Sequence, residues 1–200
     1  MFITILNFGK VTMELLSNHY YHIYNRGNNK EQLFYSPENY EFFLFKYRQH
    51  CFHVFETYAF CLMNNHFHLL ISVRSKEGQE KLYESGNLKT KKLRSPSKHL
   101  SNFFSSYTQS INKQTGRIGS LFQKNFKRKE VTTDDYFRKL VVYIHQNPAH
   151  HKFEKEFSVY PFSSFTHYVN KEDTFLNRDK TLELFGGIEN FMGAHEIKAS

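Results

Sequence analysis

The 200-residue chain has no tryptophan, only two cysteines and no apolar run long enough to cross a bilayer. Cys51 and Cys61 are too few and too separated for a C-x-x-C metal or redox motif. They read as small buried hydrophobes of a reducing compartment, and a cytoplasmic location is expected. The opening residues 1–11 are apolar but short, are interrupted by Asn7 and Lys10, and lack the basic start and cleavage site of a secretion signal. Because Met13-Glu14-Leu15 follows at once, residues 1–18 are expected to be an N-terminal extension, with translation starting at Met13. No internal repeat or low-complexity segment is present. Acidic residues are also in deficit, 19 against 27 Lys and Arg, and the formal charge of +8 favours a polyanionic partner such as nucleic acid.

What the chain does have is rings: 22 Phe and 13 Tyr, enough to fill a core and still leave flat faces for partners. Its length suits one domain with appendages. The most informative stretch is Met63-Asn64-Asn65-His66-Phe67-His68-Leu69-Leu70. Side chains alternate along a strand, so a strand from His66 to Val73 points both imidazoles one way and Phe67, Leu69 and Ile71 the other. Two neutral imidazoles side by side make half a metal site; the plainer reading is a pair of surface histidines.

Around this stretch, Tyr20 to Asn25 reads as a strand stopped by the turn Arg26-Gly27-Asn28-Asn29. Ser36-Pro37-Glu38 starts a helix running to about His50. Val54 to Met63 reads as a strand with apolar residues on both faces, which predicts a sheet covered on both sides. Asn64-Asn65 then turns it into the histidine strand as a hairpin. Residues 74–98 read as a basic loop holding Lys91, Lys92 and Arg94, either a solvated surface or a phosphate contact. A helix follows from about Ser97 to Asn112, and Ser120 to Val131 alternates like a strand with Phe122, Lys124, Phe126 and Arg128 on one side. Rings interleaved with cations suit stacking on bases and pairing with phosphates; a strand whose Phe residues face the core reads equally well.

Thr133-Asp134-Asp135 opens a helix expected to end at Asn147, before Pro148. Phe137, Leu140, Val141 and Ile144 form its buried arc, while Tyr143 and Asn147 fall together on its flank, as a core rim or a functional pair. The tail, residues 151–200, shows short helices near residues 163–165 and Thr181 to Phe185, the latter closed by Gly186-Gly187.

The histidine hairpin, Tyr143-Ile144-His145-Gln146-Asn147-Pro148, Tyr160-Pro161-Phe162-Ser163-Ser164 and Tyr24-Asn25-Arg26-Gly27-Asn28, in this order, resemble the REP-associated tyrosine transposases. These belong to the single-tyrosine branch of the HUH nucleases, and the likeness spans about residues 18–168. It implies an α+β fold with a ferredoxin-like antiparallel sheet flanked by helices, the catalytic domain occupying residues 19–150. It implies His66, His68 and Asn147 as ligands of Mg²⁺ or Mn²⁺, and Tyr143 as nucleophile in nicking and rejoining single-stranded DNA that carries a hairpin. Arg26, Lys91, Lys92, Arg94, Lys124, Lys127, Arg128 and Lys129 are the expected DNA contacts, with the tail as a further one; a homodimer is compatible. Asn147 stands where many insertion-sequence relatives carry Gln, and Phe162 where relatives usually carry Trp.

A phenol must be activated for this chemistry, since only about one in a thousand is ionised at neutral pH, and a divalent ion at the phosphate supplies that help. The rival classes are a non-catalytic binder on the same kind of sheet and a structural zinc protein, which would need four N or S ligands.

Overall fold

The computed structural model describes residues 13–85, 94–151, 156–170 and 174–196. Lys91 and Lys92 lie outside the described residues. Four strands, β1 (Tyr20–Arg26), β2 (Phe55–Met63), β3 (His66–Val73) and β4 (Lys127–Val131), form one antiparallel sheet in the order β2-β3-β1-β4. This is the expected α+β, ferredoxin-like arrangement. One face is covered by α1 (Pro37–Cys51) and α3 (Pro96–Thr115), which pack on each other. There Phe67 meets Phe43 and Phe104, while Phe43 also touches Phe103 and Tyr107. The other face is crossed by α4 (Asp134–His150), whose Phe137 sits edge-on against Tyr20 of β1 and Tyr58 of β2. Every residue of β3 is buried, as a central strand covered on both sides requires.

Thr133 caps α4 by accepting the Tyr136 N–H, and Asp134 and Asp135 lie at the positive end of its dipole. The helix does not stop at Asn147. Pro148 removes one backbone hydrogen bond, but it is buried, and the last turn continues until the His151 N–H reaches the Asn147 carbonyl.

Two other segments differ from expectation. Lys76–Ser85, placed in a loop by its polarity, is a helix, α2. Its Gln79 is buried and donates back to the Arg74 carbonyl just before the helix, a local side-chain contact that composition does not reveal. The strand expected over residues 120–131 is only β4; before it, Gly119 (φ 93) and Asn125 (φ 64) take left-handed conformations that break the pleat. Phe122, Lys124, Phe126 and Arg128 therefore do not form one alternating stripe.

The tail is a sheet-edge cover. The Leu62 N–H donates to the Phe162 carbonyl, the Ser164 N–H to the Phe60 carbonyl and the Asn177 N–H to the Thr57 carbonyl, so β2 does not present a bare edge. Beyond this lie α5 (Phe165–Val169), α6 (Arg178–Phe185) and α7 (Ile188–Glu196); Gly186 closes α6 at φ 75.

Candidate active site

Register decides what meets α4. Arg26 pairs with His66, Tyr24 with His68 and His22 with Leu70, so Tyr20, His22, Tyr24 and Arg26 share the face of the two histidines. On the neighbouring strand, Lys127 pairs with Tyr24 and Lys129 with His22, which puts both lysines on that face too. The face thus holds an imidazole cluster with a cationic border.

His66 and His68 are 9% and 7% exposed, and their rings meet edge to face at 5.3 Å between centroids. Each has one ring nitrogen in a hydrogen bond: His66 Nδ1 lies 2.8 Å from Asn65 Oδ1, and His68 Nδ1 lies 2.9 Å from His22 Nε2. Burial lowers the pKa of both, to about 4 for His66, where the charges of His151 and Arg26 act the same way. Both imidazoles are therefore neutral at pH 7, the state in which histidine ligates a metal.

Tyr143 stands above them on α4, its ring edge-on to His68 at 5.7 Å and to His22 at 6.3 Å between centroids. It remains 43% exposed, so it borders both the cluster and solvent. Asn147, one turn on, is fully buried. Its Nδ2 donates to the Tyr143 carbonyl at 2.8 Å, while its Oδ1 is buried without a hydrogen-bond partner. The same side chain acts on the imidazole of His66, raising its pKa against the effect of burial. An unsatisfied buried carbonyl oxygen costs about 1–3 kcal/mol unless something occupies it. A hard divalent cation accepts that oxygen together with imidazole nitrogens. Among the described residues no group of three or more His, Cys, Asp or Glu could hold an ion; the candidate donors at this face are the two imidazoles and the Asn147 amide oxygen.

Among the expected DNA contacts, the fold brings Arg26, Lys127 and Lys129 to this face. Arg26 Nε is buried without a partner, and Lys129 lies 4.7 Å from the Tyr136 ring centroid. Arg128 points to the opposite face, stacking on Phe126 at 4.2 Å and donating to Ser97 Oγ. Lys124 lines a groove between α3 and residues 119–126, and Arg94 acts electrostatically on Tyr83 and His99 at the end of α1. Neither is brought to the histidines.

Sequence reasoning missed His22 and Asn65. His22 lies in Tyr20 to Asn25, which reads only as a ring-rich strand. The signal was its two-residue spacing from Tyr24, but its partner strand had to be known first. His150 and His151 were missed as well; their rings lie 6.2 Å from Tyr143 and 4.8 Å from His66.

The antiparallel sheet flanked by helices is the fold that the resemblance implied, and within it the H-x-H strand is central and lies beneath the helix that carries Tyr143. Comparison with known proteins narrows the likeness. A Haemophilus influenzae protein provisionally named a REP-associated tyrosine transposase is 28% identical over 127 residues, 63% of this chain and 68% of that protein. The solved structure of a REP-associated tyrosine transposase bound to a REP hairpin shares the fold with a TM-score of 0.61 at 16% identity, over 82% of this chain and 86% of that one. No family model matches the chain. The chain is thus similar to REP-associated tyrosine transposases both in sequence and in fold.

Proposed function

We propose that the protein is a metal-dependent nuclease and strand transferase acting on single-stranded DNA that bears a hairpin, through a covalent 5′-phosphotyrosine at Tyr143. One observation carries the reading: the Tyr143 ring borders His68 and His22, and one turn further along the same helix Asn147 holds a buried Oδ1 without a hydrogen-bond partner. A REP hairpin is bound by the structural neighbour, and a hairpin of that kind is the partner we assign to this chain.

His66, His68 and Asn147 would hold Mg²⁺ or Mn²⁺, which when bound neutralises charge at the scissile phosphate. Tyr143, exposed on the DNA side, loses its phenolic proton to solvent and its oxygen attacks phosphorus. The bond from phosphorus to the 3′ oxygen breaks, and that oxygen leaves as a hydroxyl after taking up a proton. A second 3′-hydroxyl reverses the exchange, breaking the phosphotyrosine bond and returning a proton to the phenolate. Atoms and charge balance without water or ATP, which makes the reaction strand transfer rather than hydrolysis. Arg26, Lys127 and Lys129 give the strand its electrostatic seat.

The test is an oligonucleotide with a hairpin and single-stranded flanks, incubated with Mn²⁺ or Mg²⁺ and resolved on denaturing gels. Wild-type protein is expected to give a protein–DNA adduct and a free 3′ end, and Tyr143→Phe neither, while still binding the DNA. Unchanged cleavage by Tyr143→Phe would reject the nucleophile. Binding without cleavage by wild-type protein would favour a non-catalytic binder.

A further inference from the structure

The hairpin turn that precedes the histidine strand is clamped. The Gly27 N–H donates to the Asn65 carbonyl and the Leu33 N–H to the Asn64 carbonyl, at 2.9 and 2.7 Å. Residues Asn29 and Lys30 take left-handed φ values of 52° and 62°, and Asn65 Nδ2 donates to the Lys30 carbonyl at 3.3 Å. With its Nδ2 committed there, the Asn65 amide presents Oδ1 to His66, where it can only accept. His66 must then carry its proton on Nδ1, and its Nε2 is left with a lone pair.

His68 has a different partner serving the same purpose. His22 lies diagonally across β1, its ring nearly parallel to that of His68 (25°, centroids 5.1 Å apart) with Nε2 against His68 Nδ1. In a neutral pair one nitrogen donates and the other accepts. If His22 Nε2 accepts, His68 carries its proton on Nδ1 and keeps a lone pair on Nε2; the opposite choice would cap that nitrogen with a proton.

We propose that Asn65 and His22 are positioning residues that hold His66 and His68 as Nδ1–H tautomers, so that both Nε2 lone pairs serve one divalent ion. The inference rests on the metal-site reading above. Metal-bound histidines in general have their second nitrogen tied to a protein acceptor, and losing that acceptor weakens metal binding about 10–100-fold. Here the acceptors are an amide and an imidazole, both neutral, so they set orientation without adding negative charge.

Imidazole ¹⁵N NMR of the metal-free protein reads the tautomers directly, and Mn²⁺ titration followed by EPR reads the ion. Expected are Nδ1–H signals for both His66 and His68. Asn65→Ala should turn His66 into a tautomer mixture and weaken Mn²⁺ binding about 10–100-fold. His22→Ala should do the same at His68. Asn65→Asp and His22→Gln keep an acceptor at the same position and should bind Mn²⁺ close to wild type. A wild-type Nε2–H signal for either histidine would overturn the proposal. So would Mn²⁺ binding unchanged in both alanine variants, or rescue variants as weak as alanine. Wild-type protein with the stated tautomers but no Mn²⁺ affinity would instead overturn the metal-dependent reading and leave the tautomer assignment standing.

Discussion

At the scale of single residues, the site depends on neighbours that carry no chemistry of their own. Gly27 has φ −62°, which any residue can adopt, so its requirement is spatial: a Cβ there would meet the Glu31 carbonyl oxygen at 2.1 Å. That contact is with backbone, and relieving it moves the loop that bonds the Asn64-Asn65 turn. Gly27→Ala is therefore expected to destabilise the protein by about 1–3 kcal/mol, as overpacking generally does. Urea unfolding checks this, and an unchanged midpoint would show that the loop shifts at little cost. Phe162 is a second example of a residue explained by its neighbours. It stacks on Tyr40 at 3.7 Å and 7°, and Tyr40 stacks on Phe34 at 4.1 Å, so in this chain a phenyl ring ends a stack beside the β2 edge. His66, His68, Tyr143 and Asn147 could be proposed before the fold was known because they lie in short motifs whose order resembles a family, and the fold brings the rings of His68 and Tyr143 together. Asn65 read only as a turn residue and His22 only as part of a strand, because their significance comes from a hydrogen-bond partner rather than from spacing.

At the scale of elements, α4 works on two faces. One presents Tyr143 and Asn147 to the histidine strand; the other buries His145 against the tail. There His195 Nδ1 donates to the Phe191 carbonyl at 2.7 Å, which leaves His195 Nε2 to accept from His145 Nδ1 at 2.8 Å. His145 Nε2 in turn accepts from the Ser164 hydroxyl at 2.7 Å, and Ser164 Oγ accepts the Phe60 N–H of β2. A chain of neutral hydrogen bonds thus ties α7, α4 and the sheet edge together. Burial lowers the His195 pKa from 6.5 to about 4. The unfolded state consequently binds more protons between those values, and the neutral His195 contribution is complete above pH 6.5 and lost as pH falls toward 4. The shift corresponds to about 3 kcal/mol. His195→Gln is expected to show a smaller drop in urea midpoint between pH 7.5 and pH 4.5 than the wild type; equal drops would exclude His195 as a source of the acid sensitivity. This link was hidden in the sequence, since the tail reads as short helices and a turn. Regular elements fared better: β3 begins and ends as its alternation predicts, and α1 starts at the expected proline. Helix α2 and the irregular segment before β4 were not legible, because one is polar with its start held by side-chain hydrogen bonds around Arg74 and Ser75, and the other turns on an Asn in the left-handed region.

At the scale of the whole molecule, the net charge of +8 says only that a polyanion is favoured, whereas the register says which cations share a face with the histidines. Arg26, Lys127 and Lys129 border the histidine face, while Arg128 is committed to Phe126 and Ser97 on the other side of the sheet and Arg94 lies near His99. A nucleic-acid strand held against Tyr143 should displace counterions around the first group and not around Arg94. For single strands each neutralised phosphate contributes about 0.7 to the slope of log affinity against log salt. Lys127→Gln and Lys129→Gln are each expected to reduce that slope by about 0.7 on a hairpin oligonucleotide with single-stranded flanks, and Arg94→Gln to leave it unchanged. Fluorescence anisotropy across a salt series measures all three. Because these substitutions leave His66, His68 and Tyr143 untouched, adduct formation at saturating DNA should persist in each variant. If Arg94→Gln reduced the slope and the two lysine variants did not, the nucleic acid would lie on the α1 and α3 side of the sheet, and Tyr143 would be out of its reach.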